Sequence, residues 1–143
     1  MKIIVINGPN LNLLGKREPD IYGNLTLEEI NKKITEFAGK NKIDVDFFQS
    51  NHEGEIVEKI QSSDKNYDAI IINPAAFTHT SVAIRDAILA VSTSTVEVHL
   101  SNIHKREEFR QKSITASACK GVITGFGWYS YILGIYAVIN NQA

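Results

Sequence analysis

Apolar residues are concentrated in five short, mostly β-branched runs along the chain, at residues 3–6, 45–48, 69–72, 96–100 and 121–124. Several of these runs are continuously apolar rather than alternating, as Ile70, Ile71 and Ile72 show. Continuous apolar runs of this length are typical of strands that are buried on both faces. The pattern therefore predicts five buried strands.

The segments between these runs have the spacing of helices. The clearest stripe has apolar residues at positions 27, 30, 34 and 37, and Thr26 with Glu29 forms a capping-box signature at its start. A weaker stripe follows at residues 56–60, and a third helix is predicted at residues 83–91. The last segment, residues 128–139, is apolar almost all round, so we expect protein to cover it.

Alternating strands and helices predict an α/β fold in which helices cover both faces of a parallel sheet, giving three layers. Five such units in 143 residues suggest a flavodoxin-like, five-stranded sheet with the order 2-1-3-4-5. The chain has no internal repeat and no Pro/Gly-rich linker, so residues 1–143 are expected to form a single domain. Residues 8–25 form a long connection, and such connections are usually lids or binding loops.

Composition excludes several classes of protein. Fifteen Lys and Arg against sixteen Asp and Glu leave a net charge of -1, whereas a nucleic-acid-binding domain usually has a clear basic excess. No apolar run approaches the roughly 18 residues that span a bilayer. The single cysteine, Cys119, excludes an internal disulfide and fits a reducing compartment. We therefore expect a cytoplasmic protein that binds neither nucleic acid nor membrane.

Polar residues follow the predicted strands 1, 3 and 4, which are neighbours in the predicted order. In open α/β sheets, ligands bind beyond the carboxyl ends of the strands, near the switch in strand order. The polar side chains at these three strand ends are those of Asn7, Asn10, Asn73, His79, His99, Ser101, Asn102 and His104. The sequence therefore predicts one binding crevice at this edge of the sheet.

The common cofactor motifs are absent from the sequence. No glycine-rich phosphate loop follows strand 1, where Pro9 removes a backbone donor, and Ser130 breaks a possible glycine fingerprint that begins at Gly125. The histidines lack the close spacing of common metal sites. We therefore expect neither cofactor nor metal. Two alternatives remain open, a non-catalytic small-molecule-binding module and a flavin or nucleotide enzyme on the same fold.

Several long blocks of the sequence resemble the type II 3-dehydroquinate dehydratases, in that family's order and over nearly the whole chain. The blocks are NGPNLNLLG (7–15), REP (17–19), YG (22–23), QSNHEG (49–54), INPAAFTHTS (72–81), RDA (85–87), EVHLSN (97–102) and REEFR (106–110). The resemblance implies a flavodoxin-like fold and the reversible anti elimination of water from 3-dehydroquinate through an enolate. It implies no metal, organic cofactor or Schiff-base lysine, and a place in the shikimate pathway.

The resemblance also assigns catalytic roles. Tyr22 would remove the proton next to the ketone, and the cations of Arg17 in the lid and Arg110 in the pocket would favour the ionised tyrosine. Asn10 would hold a water at the ketone oxygen. His99 would protonate the departing hydroxyl, and Glu97, two residues earlier on the same face of the strand, would orient it.

The remaining assignments concern substrate binding and assembly. The matching residues are Asn73, Leu100 and Ser101 for the substrate carboxylate, and His79 and Arg110 for the ring hydroxyls. Asp86 would reach the site of a neighbouring subunit, which implies trimers assembled into a homododecamer. Arg106 is expected near the lid, pairing with Glu18 or another carboxylate. His52 and Glu53 are expected to be structural or interfacial.

Two segments depart from the family pattern. Residues 91–95 replace a proline-containing turn before strand 4, and Trp128 follows Gly127 where a smaller residue or proline is commoner. We expect these departures to affect local packing or assembly rather than chemistry.

Overall fold

The structure is a computed structural model that describes residues 1–16 and 18–141. Its centre is a five-stranded parallel sheet with the order β2-β1-β3-β4-β5, as predicted. The strands are β1 (Lys2–Asn7), β2 (Asp44–Gln49), β3 (Ala69–Asn73), β4 (Ser94–His99) and β5 (Gly121–Thr124). The helices are α1 (Pro19–Tyr22), α2 (Leu27–Lys40), α3 (Glu53–Ser63), α4 (Val82–Ala90) and α5 (Tyr129–Asn140).

The strand pattern divides the apolar residues between two cores, one on each face of the sheet. Ile3 and Val5 of β1 pack in the core formed with α2 and α5, whereas Ile4 and Ile6 pack in the core formed with α3 and α4. This follows from the period of two along a strand, which points successive side chains to opposite faces. The prediction of strands buried on both faces is thus confirmed for the central part of the sheet.

Helix α2 begins as its sequence predicts. The Glu29 amide donates to Thr26 Oγ1 at 3.2 Å, and the Thr26 amide donates to Glu29 Oε2 at 3.0 Å, which completes the capping box. Ile30, Ile34 and Ala38 are the buried residues of this helix. The stripe at helical spacing therefore marks the face that packs against the sheet.

Helix α5 is less completely covered than its apolar sequence suggested. Tyr131, Ile135 and other residues on one side are buried, but Tyr129 and Tyr136 are exposed in this single chain. Gly134 permits a close approach to the sheet, because a Cβ at this position would lie 3.0 Å from Cγ1 of Val98. The helix therefore has a buried face and a partly exposed one.

The two departures from the family pattern have local partners. The amide and the hydroxyl of Ser92 both donate to Asp64 Oδ1, at 3.1 and 2.7 Å, which holds the connection before β4 without a proline. Trp128 packs at the margin of the α2/α5 core, with the Lys33 ammonium 5.0 Å from its ring centroid. Both segments therefore contribute to local packing.

The described residues contain no helix that is long and apolar enough to cross a membrane.

Three polar side chains are joined in the interior below the carboxyl ends of β1 and β3. Asn7 and Asn73 pair across the two strands and point to the same face, toward Tyr131 of α5. The Tyr131 hydroxyl donates to Asn7 Oδ1 at 2.5 Å and accepts from Asn73 Nδ2 at 3.1 Å. Burial raises the pKa of Tyr131 well above its usual value, against the hydrogen bond from Asn73, so the phenol stays neutral and can donate.

Tyr131→Phe should lower the free energy of unfolding by about 1–3 kcal/mol, because Asn7 Oδ1 and Asn73 Nδ2 both lose the hydrogen bond that they make with the Tyr131 hydroxyl. Equilibrium unfolding in urea measures this change. Tyr136→Phe on the exposed side of the same helix is the matched control and should shift stability by less than about 0.5 kcal/mol. Equal losses in the two variants would contradict a role for the buried hydroxyl.

Candidate functional site

A pocket of about 150 Å³ lies at the carboxyl ends of β1, β3 and β4. Its lining residues come from the loops after these strands, from α1 and from the segment after β4: Pro9, Asn10, Leu11, Leu14, Tyr22, Asn73, Ala75, Ala76, His79, His99, Leu100, Ser101, Ile103, Arg106 and Arg110. This is where parallel α/β sheets bind ligands. Of the eleven residues with a predicted site role, eight line the pocket, and a ninth, Glu97, lies directly behind His99.

Two loops that contribute lining residues approach each other closely beside this pocket. The Gly8 amide donates to the Asn73 carbonyl at 2.8 Å, and a Cβ on Gly8 would lie 2.3 Å from the Pro74 carbonyl oxygen. Only glycine fits at this position without moving backbone. The loops after β1 and β3 are thereby brought into contact.

His99 and Glu97 form a buried pair at the end of β4. His99 Nε2 lies 2.7 Å from Glu97 Oε2, and the two residues are 5% and 0% exposed. A carboxylate only accepts hydrogen bonds, so Nε2 carries a hydrogen and Nδ1 is the ring nitrogen that can gain or lose a proton. The pair can therefore deliver a proton through Nδ1.

Glu97 is ionised despite its burial. Burial raises the pKa of a carboxyl group, but here the hydrogen bond and charge of His99, together with hydrogen bonds from Thr115 and Thr78, outweigh it and hold the pKa of Glu97 below its usual value. The orienting partner of His99 is thus a carboxylate rather than a carboxylic acid.

Asn73 reaches the pocket with its amide already oriented. Its Oδ1 accepts from the Ala75 amide at 3.1 Å, and its Nδ2 donates to Tyr131. Leu100 and Ser101 follow β4 directly and also line the pocket. Ser101 Oγ accepts from Arg106 Nη1 at 3.2 Å.

Asn10 is held by a residue whose role the sequence did not reveal. It has a left-handed backbone with φ of 68°, and its amide donates to Asn51 Oδ1 at 2.9 Å. Gln49 Nε2 donates to Asn51 Oδ1 and to the Gly8 carbonyl, each at 3.2 Å. The end of β2 therefore supports the pocket, whereas His52 and Glu53 lie at the start of α3, outside its lining. The only sequence signal was the position of Asn51 within the block QSNHEG.

Tyr22 ends the short helix α1 and lines the pocket beside Arg106. The Arg106 guanidinium carbon lies 5.2 Å from the centroid of the Tyr22 ring. Arg106 Nε also lies 3.8 Å from Glu107 Oε2, which is a carboxylate partner close in sequence. Arg106 thus lines the pocket itself, whereas the resemblance implied only a place near the lid with a carboxylate partner.

Arg110 and His79 lie on the other segments that line the pocket. Arg110 Nε donates to Glu107 Oε2 at 2.9 Å, and its guanidinium carbon is 4.9 Å from the Phe109 ring centroid. His79 Nδ1 lies 2.8 Å from the Lys112 carbonyl oxygen. A carbonyl only accepts, so Nδ1 donates and His79 Nε2 remains an acceptor when the ring is neutral.

Apart from Glu97, four described residues that were expected at the crevice or given a site role do not line this pocket: Asn7, Asp86, Asn102 and His104. His104 is exposed, so only two of the three histidines expected at the crevice are brought together there. Asp86 is exposed on α4, and Arg17 lies outside the described residues. Within residues 1–16 and 18–141, no group of three or more His, Cys, Asp and Glu side chains is arranged to hold a metal ion.

The pocket combines groups for proton transfer with groups for binding an anion. An imidazole backed by a carboxylate and a phenol beside a guanidinium can act as acid and base, and the arginines attract negative charge. Asn73 and the residues after β4 add hydrogen-bonding groups for a small polar ligand. The arrangement suits acid–base chemistry on a small anionic molecule.

Comparisons with known proteins agree with this geometry. The model of the family "Dehydroquinase class II" matches residues 1–139. A 3-dehydroquinate dehydratase from Clostridium botulinum is 61% identical over 139 residues, which cover 97% of this chain and 95% of that protein. Another from a Nitratiruptor species is 61% identical over 138 residues, which cover 96% of this chain and 88% of the relative. The crystal structure of a type II dehydroquinase from Butyrivibrio crossotus has a TM-score of 0.95 and 50% identity, covering 97% of each chain. This chain belongs to the class II dehydroquinase family.

Proposed function

We propose that this pocket is the catalytic site at which the chain, a hydro-lyase, dehydrates 3-dehydroquinate to 3-dehydroshikimate reversibly, by anti elimination through an enolate. The observation that carries the assignment to this pocket is the buried Glu97–His99 pair, which reaches it together with Tyr22 and Arg106. Residues 1–143 act as a single catalytic domain without a metal or an organic cofactor.

Tyr22 is the base. Its phenolate takes the proton from the carbon next to the ketone, and the electron pair of the broken C–H bond forms the enolate. The Arg106 guanidinium carbon lies 5.2 Å from the centroid of the Tyr22 ring, so a positive charge accompanies the base in the pocket. Arg17, in the lid, is the second cation beside the base. Asn10 holds a water that donates a hydrogen bond to the enolate oxygen.

His99 is the acid. As the enolate collapses, the carbon–oxygen bond to the leaving hydroxyl breaks, and the proton of His99 Nδ1 joins that hydroxyl to release water. Glu97 holds Nε2 and stabilises the imidazolium. The site is reset when a proton passes from the Tyr22 phenol to His99, directly or through solvent.

The substrate carboxylate is held by Asn73, Leu100 and Ser101, the last two partly through backbone amides. Its ring hydroxyls bond to His79 and Arg110, whose guanidinium offers several donors in one plane. Support for this placement comes from the lining of the pocket, which contains all five residues.

The subunits assemble as trimers and then as a homododecamer in the cytoplasm, and Asp86 reaches a neighbouring site. The outer face of α4 supports this assembly, because Val82, Asp86 and Leu89 are exposed at positions i, i+4 and i+7 of one helix. Apolar side chains beside a carboxylate suit a contact that buries surface and also presents a charge.

Adding 3-dehydroquinate to the purified chain should produce the ultraviolet absorbance of the enone product, recorded over time. Folded protein that binds the compound but gives no absorbance change with fresh substrate would favour the non-catalytic binding module. A yellow protein or a bound nucleotide would favour the flavin or nucleotide enzyme.

Tyr22→Phe should lower kcat by about 10²–10⁴-fold, because it removes the base and keeps the ring. Binding of the substrate, measured by calorimetry, should change little. Tyr129→Phe, which alters an exposed tyrosine of α5, should keep the activity of the parent chain. A kcat for Tyr22→Phe within threefold of the parent would exclude Tyr22 as the base.

Leu89→Glu should reduce the mass found by analytical ultracentrifugation and lower kcat/KM, because a charge in the α4 contact disfavours assembly and withdraws Asp86 from the neighbouring site. Lys32→Glu, an exposed change on α2 at the opposite face of the sheet, is the matched control. An unchanged mass for Leu89→Glu would place the subunit contact elsewhere.

A further inference from the structure

Three hydroxyl groups surround the carboxylate of Glu97 on the side away from the pocket. Thr115 Oγ1 donates to Oε1, and Thr78 Oγ1 donates to Oε2 at 2.9 Å. Ser113 Oγ lies 3.2 Å from Oε2 and 2.6 Å from Thr78 Oγ1. With His99 Nε2 at 2.7 Å from Oε2, the carboxylate is enclosed by donors.

The hydroxyls of this cluster, Thr78, Ser113 and Thr115, come from two segments that otherwise build the pocket. Thr78 precedes His79 in the 3-10 helix Ala75–His79, and residues 113–115 follow the segment that carries Arg110. The two segments are joined by the Ile114 amide, which donates to the Thr78 carbonyl at 2.8 Å. The hydroxyl cluster therefore lies where three elements of the site meet.

A buried carboxylate can meet the cost of desolvation in two ways. It can keep its charge if enough donors point at it, or it can take a proton and become neutral. In a carboxyl–imidazole pair these outcomes differ in where the shared proton lies, on the imidazole or on the carboxyl group. Each hydroxyl has one hydrogen to donate, so removal of a single hydroxyl changes this balance.

We propose that Thr78, Ser113 and Thr115 are positioning residues for the acid His99: their hydroxyls keep Glu97 as a carboxylate, so the proton of the pair stays on the imidazole that must deliver it. The proposal rests on the proposed function, in which His99 is the acid. The group that supports proton donation by His99 then comprises five residues, including Glu97 and His99, rather than the Glu97–His99 pair alone.

The titratable groups that face Glu97 are consistent with an ionised Glu97 side chain. They are His99 on β4 and Cys119, which follows Thr115 in the segment before β5. Burial, with the negative charge of Glu97, raises the pKa of the Cys119 thiol to about 12, so the thiol stays neutral and adds no competing charge. Its Sγ donates to the Thr115 carbonyl at 3.6 Å, not to the carboxylate.

Thr115→Val is the sharpest test, because valine has the shape of threonine without its hydroxyl. We expect kcat to fall by about tenfold or more, the loss typical of a hydrogen bond to a charged group, with KM changed less than about threefold. The acidic limb of the kcat profile should move to higher pH, because loss of a donor raises the pKa of Glu97 and its protonated form is inactive.

Two control variants separate this effect from packing. Thr115→Ser keeps the hydroxyl and should recover most of the kcat that Thr115→Val loses. Thr95→Val removes a different buried hydroxyl, on β4, which donates to the Thr93 carbonyl at 3.3 Å and not to Glu97. This variant should leave the pH profile of kcat unchanged. If Thr115→Val does not fold, Thr78→Val and Ser113→Ala test the same carboxylate from the other two hydroxyls.

Coupling to Glu97 completes the test. In a Glu97→Gln background no carboxylate remains, so adding Thr115→Val should lower kcat by less than about twofold further. Equal fold-losses in the two backgrounds, an unmoved acidic limb, or equally low activity of Thr115→Ser and Thr115→Val would overturn the proposal.

A measurement without turnover distinguishes this inference from the proposed function. In protein labelled with 15N-histidine, the His99 signals are assigned by their loss in His99→Asn. At a fixed mildly acidic pH, the doubly protonated share of His99 should be smaller in Thr115→Val than in the parent chain. An unchanged share would overturn the positioning role, whereas an inactive parent chain with a changed share would overturn the proposed function alone.

Discussion

Glu97 places a carboxylate in the interior, where an unpaired charge would cost several kcal/mol. The structure meets this cost with donors from three separate segments: β4 itself, the 3-10 helix after β3 and the segment that precedes β5. These contacts orient His99 and hold two segments against β4, the 3-10 helix that ends in His79 and the segment that follows Arg110. The placement of the acid–base groups thus depends on satisfying one buried charge.

A second set of buried polar groups lies on the opposite face of the same sheet. Asn7 and Asn73 point toward α5 and share the hydroxyl of Tyr131, whereas Glu97 points toward the α3/α4 side. Asn7 and Asn73 end their strands, and Glu97 lies two residues before the end of β4. The pocket is therefore supported by both helical layers, and a change in either layer alters the groups that line it.

The loop that contains Asn10 and the helix that ends in Tyr22 are supported differently. Asn10 is held through its backbone by the side chain of Asn51, and Tyr22 lies beside the guanidinium of Arg106. Asn51 lies just after β2 and Arg106 in the segment after β4, far apart in sequence. Family membership assigns the chemistry, and these contacts explain how one small chain brings its groups together.

Much of the fold followed from the sequence by itself. The apolar runs located the five strands to within two residues at each end, the capping box marked the start of α2, and alternation with helices predicted the sheet order. These features are local, because each depends on the period of side chains along one element. The blocks that resemble the family likewise identified the residues at the strand ends.

Only the tertiary structure decided which of those residues meet. His104 follows Ser101 by only three residues, yet it is exposed, while Asn51 just after β2 reaches the loop after β1. The hydroxyls around Glu97 are 16 to 19 residues away from it in the chain and have no spacing that marks them as a cluster. Partners of a buried charge are chosen by distance in space, which a one-dimensional pattern does not contain.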